Sequence, residues 1–133
     1  MAKTPFLTTL LLMMTIETVR ACFLEPTIDV FVVRNISSDS IPLTVHCFSG
    51  NDDLGNHTLY GNEYFHWSFC LNVIPNTKFF CHVWWGSKTQ QFVAYDQKAF
   101  LNRPMNGWLA RDDGIYLTHK YKFQNSVKVF DWE

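Results

Sequence analysis

The sequence lacks an excess of positive charge. Its 133 residues contain 11 Lys and Arg against 12 Asp and Glu, so the formal net charge is −1 at pH 7. Nucleic acids and anionic membrane surfaces attract proteins that carry clusters of basic residues. The charge balance therefore predicts that neither nucleic acid nor a membrane surface is the partner. Glycine and proline are also scarce, at six and five residues, which excludes a collagen-like or linker-dominated chain.

The sequence also lacks an apolar run long enough to span a bilayer, which takes about 20 residues. Its most apolar run, residues 6–16, follows a single charge at Lys3 and precedes a polar stretch that ends at Ala21. This layout is typical of a secretory signal peptide. Residues 1–21 are therefore predicted to be a signal peptide, and residues 22–133 an extracellular domain that does not insert into a membrane. A buried N-terminal helix or a signal anchor is the alternative.

Catalytic and metal-binding motifs are missing as well. The sequence contains no G-x-S-x-G, no glycine-rich phosphate loop and no H-x-H or H-E-x-x-H pair. His46, His66 and His82 fall on separate predicted strands, where a half-buried strand histidine is the simplest interpretation. We therefore expect no catalytic residue, no metal site and no cofactor. A secreted hydrolase that uses one of these three histidines stays open as an alternative.

Aromatic residues, by contrast, are abundant. The chain has 12 Phe, 5 Trp and 5 Tyr, and 47% of its residues are hydrophobic. A chain of this size buries roughly two-thirds of its surface on folding, so one compact domain is expected.

From residue 27 onward, short apolar alternations are interrupted by turn residues every eight to twelve positions, which is typical of an all-β domain. The predicted fold is a small antiparallel β-sandwich of about seven to eight strands. Residues 50–55 are predicted to form a turn, residues 97–102 a helical turn, and Asp112-Asp113-Gly114 a hairpin turn. Strand-like alternation is seen in residues 27–34, 43–49, 58–60, 64–70, 78–85, 91–95, 106–111, 114–120 and 127–132, of which 58–60 is very short.

Secreted proteins form disulfides and receive N-linked glycans, so the four cysteines and two sequons of this sequence are informative. The four cysteines predict disulfides, although three pairings are possible, and Cys22 at the cleavage edge could be a terminal thiol that leaves one of the others unpaired. The cysteine spacings match no zinc motif. The tripeptides that begin at Asn35 and Asn56 are candidate N-glycosylation sites.

An ordered set of segments resembles the plant self-incompatibility S1 proteins, also known as S-protein homologues. The resemblance covers essentially the whole mature chain. Its motifs are VRN at 33–35, LTVHC at 43–47, NDDLG at 51–55, YFHWSF at 64–69, TKFFCHVWW at 77–85, FVAY at 92–95 and WLARDDGIY at 108–116.

The resemblance implies a small secreted β-sandwich that acts as a non-enzymatic ligand and is recognised by a cell-surface receptor, in pollen–pistil self-incompatibility or in other cell–cell communication. Many members carry two further cysteines before the residue equivalent to Trp108, where this chain has residues 103–107 without cysteine. The resemblance therefore leaves Cys47, Cys70 and Cys81 as the disulfide candidates, with an open pairing.

The hypothesis from the sequence is a rigid sandwich that presents loops 35–42, 50–55 and 97–106 to a receptor. Within these loops, the receptor-contact candidates are Asn51, Asp52, Asp53 and Leu54. A lectin that binds carbohydrate through Trp84 and Trp85 is a further alternative.

Overall fold

The computed structural model describes residue 22 and residues 26–70, 77–100 and 103–133. The predicted signal peptide, residues 1–21, lies outside the described residues. Within the described ranges, nine strands form two sheets. The five-stranded sheet has the order β4-β1-β7-β8-β9, with β1 Thr27–Arg34, β4 Tyr64–Cys70, β7 Met105–Arg111, β8 Gly114–Thr118 and β9 Val127–Phe130. The four-stranded sheet has the order β3-β2-β5-β6, with β2 Leu43–Phe48, β3 Asp53–Leu59, β5 Lys78–Trp85 and β6 Lys88–Asp96. A short helix, α1, spans Gln97–Phe100, and a 3₁₀ turn spans Phe123–Asn125.

The all-β sandwich predicted from the alternation is confirmed, although it has nine strands instead of seven to eight and β6 begins at Lys88, before the predicted 91–95. Two further differences concern β3 and the direction of β7. One difference is that β3 begins at Asp53, so half of the predicted 50–55 turn is strand. A register shift between His46 and Phe48 lets Asp53 pair with Phe48, which extends β3 backwards into the turn. The other difference is that β1 and β7 run parallel, because the chain crosses from one sheet to the other between β6 and β7 instead of returning by a hairpin.

The core lies between the two sheets and follows the period of two along each strand. On β1, Ile28, Val30 and Val32 are buried between the sheets. The indole nitrogen of Trp108 donates a hydrogen bond to the carbonyl of Ala94 at 2.9 Å, which ties the five-stranded sheet to β6 of the other sheet. Each fully buried aliphatic side chain stabilises the fold by roughly 1.5–3 kcal/mol.

The hairpin predicted at residues 112–114 is confirmed and connects β7 to β8. Gly114 has φ +152°, and a Cβ at this position would lie 2.2 Å from the carbonyl oxygen of Phe130. Glycine is therefore required here both for its backbone conformation and for the close approach of β9.

Two disulfides link all four cysteines. Cys47 and Cys81 are direct register partners on β2 and β5, and their bond lies in the core. Cys22 bonds Cys70, so the terminal thiol considered from the sequence is paired. In the antiparallel register of β1 and β4, Cys70 lies opposite Thr27. Because Cys22 precedes Thr27 by only a few residues, this register brings Cys22 close to Cys70.

Strand direction separates the loops into two ends. Loop 35–42, turn 60–63 and turn 112–113 meet at one end, named here the Arg34 end, where Arg34 contacts Gly61 and Ser37 contacts Asp112. At the opposite end, the amide of Gln97 donates to the carbonyl of Thr77 just before β5. Turn 49–52 lies at that opposite end as well, because β2 runs antiparallel to β5. The three loops of the sequence hypothesis therefore do not form one surface.

Candidate recognition surfaces

Loop 35–42 at the Arg34 end is held from inside by one buried guanidinium. Arg34 is the last residue of β1 and is completely buried. Its guanidinium donates hydrogen bonds to the carbonyl oxygens of Gly61 at 2.9 Å and of Ile41 at 2.6 Å, and also to that of Ser38. The planar fork of arginine suits this set of acceptors, because several N–H groups point outward in fixed directions. The loop is therefore ordered through its backbone carbonyls, with Ile36 buried and residues 37–41 exposed to solvent.

A second set of contacts joins the same loop to turn 112–113. The amide of Ser37 donates to Asp112 Oδ1 at 2.8 Å, and the Ser37 hydroxyl donates to the other carboxylate oxygen. These hydrogen bonds lower the pKa of Asp112, because they stabilise its charged form. Arg111 Nε donates to Asn35 Oδ1 at 2.9 Å. The contacts link the two chain segments into a single surface.

This surface encloses an open cleft of about 570 Å³ and carries mostly acidic and neutral polar groups. Three carboxylates lie on its rim, those of Asp39, Asp112 and Asp113, and all three residues are exposed. Asp113 accepts a hydrogen bond from the Tyr116 hydroxyl at 2.8 Å. Asp39 Oδ1 also lies 4.0 Å from Arg34 Nη1 and Asp113 Oδ2 lies 3.8 Å from Lys128 Nζ, and Arg111 lines the same cleft. The Arg34 end is therefore a pre-ordered surface of mixed charge that suits a partner with complementary charged and hydrogen-bonding groups.

The receptor-contact candidates from the sequence lie at the opposite end. Asn51 and Asp52 are exposed in turn 49–52, and the turn is closed by a 2.7 Å hydrogen bond from the amide of Ser49 to the carbonyl of Asp52. Asp53 is exposed at the start of β3. Leu54 differs from the other three, because it is half-buried and packs against the core.

Asp53 anchors the beginning of β3. Its Oδ1 accepts a hydrogen bond from the amide of Gly55 at 2.9 Å and lies 2.7 Å from Nε2 of His46. The backbone hydrogen bond, followed by the contact with His46, lowers the pKa of the Asp53 carboxyl. Asp53 therefore carries its negative charge over the whole physiological range of pH.

The outer surface of the four-stranded sheet carries rings on two adjacent strands. We name this surface the aromatic face and define it by His46, Phe48, Phe80, His82 and Trp84. Phe48 and Phe80 are register partners whose ring centroids lie 5.7 Å apart, and His82 stacks on Trp84 at 3.7 Å. His46 and His82 are register partners as well.

The protonation of His82 follows from its partner. Thr89 Oγ1 donates to the carbonyl of Val83 at 3.0 Å, so it accepts from Nε2 of His82 at 2.7 Å. Partial burial, and then the proximity of His46, lower the pKa of His82. The ring is therefore neutral at pH 7 with its proton on Nε2.

The three histidines considered as catalytic do not converge. His46 and His82 share the aromatic face, whereas His66 lies on the outside of the five-stranded sheet, stacked on Phe31 at 4.4 Å and 2.8 Å from Asp29 Oδ1. Among the described residues, no group of three or more His, Cys, Asp or Glu side chains is arranged to hold a metal ion. Nor does this part of the chain include a helix with the length and apolar character needed to cross a bilayer.

The tryptophans of the lectin alternative are separated by the alternation of β5. Trp84 lies on the aromatic face, and Trp85 packs against the core, 5.8 Å from the ring of Trp132. The two indoles therefore do not form one sugar platform.

Sequence reasoning missed the residues that order the Arg34 end. The signal available in the sequence was an arginine that ends an otherwise apolar strand, followed by the polar run NISSDS at 35–40. The partners of Arg34 and Ser37 lie 27 and 75 residues further along the chain, at Gly61 and Asp112. No local pattern could connect them.

Comparisons with known proteins agree with this fold. The family model for plant self-incompatibility protein S1 matches residues 30–132. S-protein homolog 7 of Arabidopsis thaliana is 35% identical over 96 residues, which cover 68% of this chain and 70% of that protein. S-protein homolog 5 of the same plant is 42% identical over 55 residues, covering 41% of this chain and 43% of that protein.

A solved structure shares the fold. It is similar with a TM-score of 0.66 and 21% sequence identity, over 84% of this chain and 98% of that one. That protein is described as an SPH (self-incompatibility protein homologue), one of a widespread family of small, highly stable, secreted proteins from plants.

The family-model match over residues 30–132 includes strands of both sheets and the Arg34 end. The chain therefore belongs to the plant self-incompatibility S1 protein family.

Proposed function

We propose that this protein is a secreted signalling ligand that a cell-surface receptor recognises in cell–cell communication. Family membership supports the signalling role, and pollen–pistil recognition is one setting in which such a ligand would act. The predicted signal peptide at residues 1–21 and the description of the solved relative as secreted support export. The two disulfides fit an oxidising compartment.

The observation that carries the proposal is the order of the Arg34 end. A loop that is already fixed by Arg34 and Asp112 loses little conformational entropy when a partner binds it. The exposed side chains of residues 38–40 are presented from this fixed backbone, so substitutions among them change the surface that a receptor contacts without disturbing the core. We propose that the receptor contacts this end.

The acidic turn at the opposite end is a second contact candidate. Asn51, Asp52 and Asp53 are exposed, and Asp53 is held in one orientation by Gly55 and His46. Leu54 contributes to this candidate by packing under the turn, since it contacts the core.

Two matched variants separate the candidates. D39N and D52N each remove one carboxylate from an exposed position, at the Arg34 end and at the opposite end respectively. D39N also removes a long ion pair, at 4.0 Å, with Arg34 Nη1. The fluorescently labelled protein is titrated onto intact protoplasts from floral and vegetative tissue, and saturable binding is measured with unlabelled protein as competitor. We expect D39N to weaken binding about tenfold, which corresponds to about 1.4 kcal/mol, and D52N to leave it unchanged.

The opposite result, with binding lost in D52N and kept in D39N, would move the contact to the acidic turn. Absence of saturable binding to protoplasts of any tissue would contradict the receptor proposal itself. Circular dichroism of both variants serves as the control that the fold is intact.

A further inference from the structure

The aromatic face leaves apolar rings in contact with solvent. Phe48 is 37% exposed and Phe80 is 36% exposed. Together with His46, His82, Gln91 and Val93 they line a cleft of about 390 Å³. Adjacent exposed apolar rings beside a cleft form a patch of the kind at which soluble proteins bind ligands or partners.

One of the two sequons lies beside this face. Asn56 on β3 is the register partner of His46, and Thr58 is the register partner of Thr44. Because side chains alternate along a strand, Asn56 and Thr58 share the outer side, and both are exposed. His57 between them turns inward and stacks on Phe65 at 3.8 Å. Both residues that a glycosylation sequon requires are therefore accessible from the side of the aromatic face.

The other sequon is built into the fold. Asn35 is half-buried, and its Oδ1 accepts the hydrogen bond from Arg111. The amide and the hydroxyl of Ser37 both bind Asp112. A glycan on Asn35 would have to fit beside these contacts at the Arg34 end, whereas a glycan on Asn56 disturbs none of them.

We propose that Asn56 carries an N-linked glycan whose first sugars lie on the aromatic face and cover Phe48 and Phe80. The inference rests on the secretion part of the proposed function, because this modification takes place in the secretory pathway. The donor is an oligosaccharide linked to a lipid diphosphate. A bond forms between Asn56 Nδ2 and the sugar C1 as the amide loses one proton. The bond from C1 to the diphosphate oxygen breaks, and the lipid diphosphate leaves with the electron pair.

The geometry suits a sugar on this face. Asn56 pairs with His46, whereas Phe80 on β5 pairs with Phe48, so Phe80 lies two strand spacings and two residues from Asn56, about 12 Å, which the first two to three sugars of an N-glycan span. The C–H side of a hexose packs on aromatic rings, and the exposed Gln91 and the adjacent Thr44 offer hydrogen-bond partners on the same side of the sheet. Strand β3 is also an edge of the described sheet, and a glycan on it blocks pairing with another chain.

The first experiment locates the glycan. The full-length precursor is expressed in plant cells as wild type, N35Q, N56Q and T58V, and the secreted protein is examined by intact mass spectrometry before and after endoglycosidase treatment. We expect one glycan in wild type and N35Q and none in N56Q and T58V. T58V removes the sequon while Asn56 remains, so it serves as the second variant if N56Q folds poorly. Secreted wild type without a glycan at Asn56 would overturn the proposal.

The second experiment tests where the sugars lie. We expect N56Q and T58V to bind several-fold more of an apolar fluorescent dye than N35Q, and the substitution F48S/F80S to abolish that increase. Equal dye binding by the glycosylated and unglycosylated proteins would overturn the coverage of the face. Tight binding of free oligosaccharide by N56Q on a glycan array, without a glycan on the wild type, would also overturn it in favour of a lectin.

A parallel expression with a heterologous signal peptide separates this inference from the proposed function. In one outcome, the protein with the heterologous signal peptide carries a glycan on Asn56 while the native precursor is retained inside the cell. That outcome would contradict export by the chain's own N-terminus but would still support the Asn56 site. Secretion in both arms without glycan on Asn56 would contradict only the present inference.

Discussion

Thr89 and Glu133 are joined by two backbone hydrogen bonds, in which the amide of each donates to the carbonyl of the other at 3.0 Å. Thr89 lies on β6 at the edge of one sheet, and Glu133 follows β9 at the edge of the other. The residues after β9 therefore close one long side of the sandwich. On the other long side, the stacked rings of His57 and Phe65 connect β3 to β4.

The closure after β9 predicts that Trp132 is important for stability. Its indole packs against Trp85 and donates to the carbonyl of Arg111 at 2.7 Å. We expect W132A to lower the free energy of unfolding by about 2–4 kcal/mol. W132F keeps most of the packing and loses the hydrogen bond, which costs about 1 kcal/mol. Urea denaturation followed by circular dichroism measures both, and V129A on exposed β9 is the control, with a change within about 0.5 kcal/mol.

Substitution of Arg34 should destabilise the protein more than substitution of any exposed basic residue. R34M leaves the carbonyls of Gly61 and Ile41 without their charged donor, and we expect a loss of at least about 3 kcal/mol. R34K keeps the charge but cannot reproduce the planar fork, so its loss should be intermediate. R103A, at an exposed position, is the matched control for urea denaturation. An R34M variant as stable as R103A would show that the loop does not depend on the guanidinium.

The two disulfides should differ in their rate of reduction. The sulfurs of Cys47 and Cys81 lie in the core, whereas Cys22 and Cys70 are half-buried at the end of the sandwich. Because exchange requires access of the attacking thiolate, limited reduction followed by alkylation and mass spectrometry should label Cys22 and Cys70 first. Simultaneous labelling of all four cysteines in the folded protein would contradict this order.

Removal of the core disulfide should be costly. Its loop has a sequence separation of 34 residues, for which the chain-entropy model gives about 3–4 kcal/mol. We therefore expect C47A/C81A to lower the urea midpoint strongly without a change of fold. A midpoint equal to that of the wild type would indicate that the disulfide contributes little to stability.

Stability should fall as the pH is lowered below about 6.5. Burial lowers the pKa of His82 and of His119 in the folded protein, so the unfolded chain binds protons first. This contribution to stability is complete above the pKa that the two histidines have in the unfolded chain. It is lost progressively as the pH falls from that value to their lower pKa values in the folded protein. Urea denaturation from pH 7.5 to pH 5 should show this slope, and H82Q should make it shallower. Asp53 and Asp112 also have lowered pKa values in the folded protein. Their protonation reduces the stability only below about pH 3.8, which lies outside this window.

Most strands could be predicted from the sequence because their signal is local. The alternation over residues 27–34, 64–70 and 78–85 matches the observed strands, and Asp112-Asp113-Gly114 marks the observed hairpin. The start of β3 could not be predicted, because Gly55 and Asn56 have low strand propensity and residues 53–55 are typical of a turn. Pairing with β2 overrides that preference.

The sequence by itself determined the fold class, the family and the presence of an oxidisable set of cysteines, because each depends on composition, period or the order of short motifs. Tertiary structure alone decided which cysteines meet, which loops share an end and which side of β5 each tryptophan faces. The pairing of Cys47 with Cys81 and the capture of loop 35–42 by Arg34 depend on register and on contacts distant in sequence. Those contacts exist only when the sheets pack, since the free energy that selects them comes from burial of the whole core.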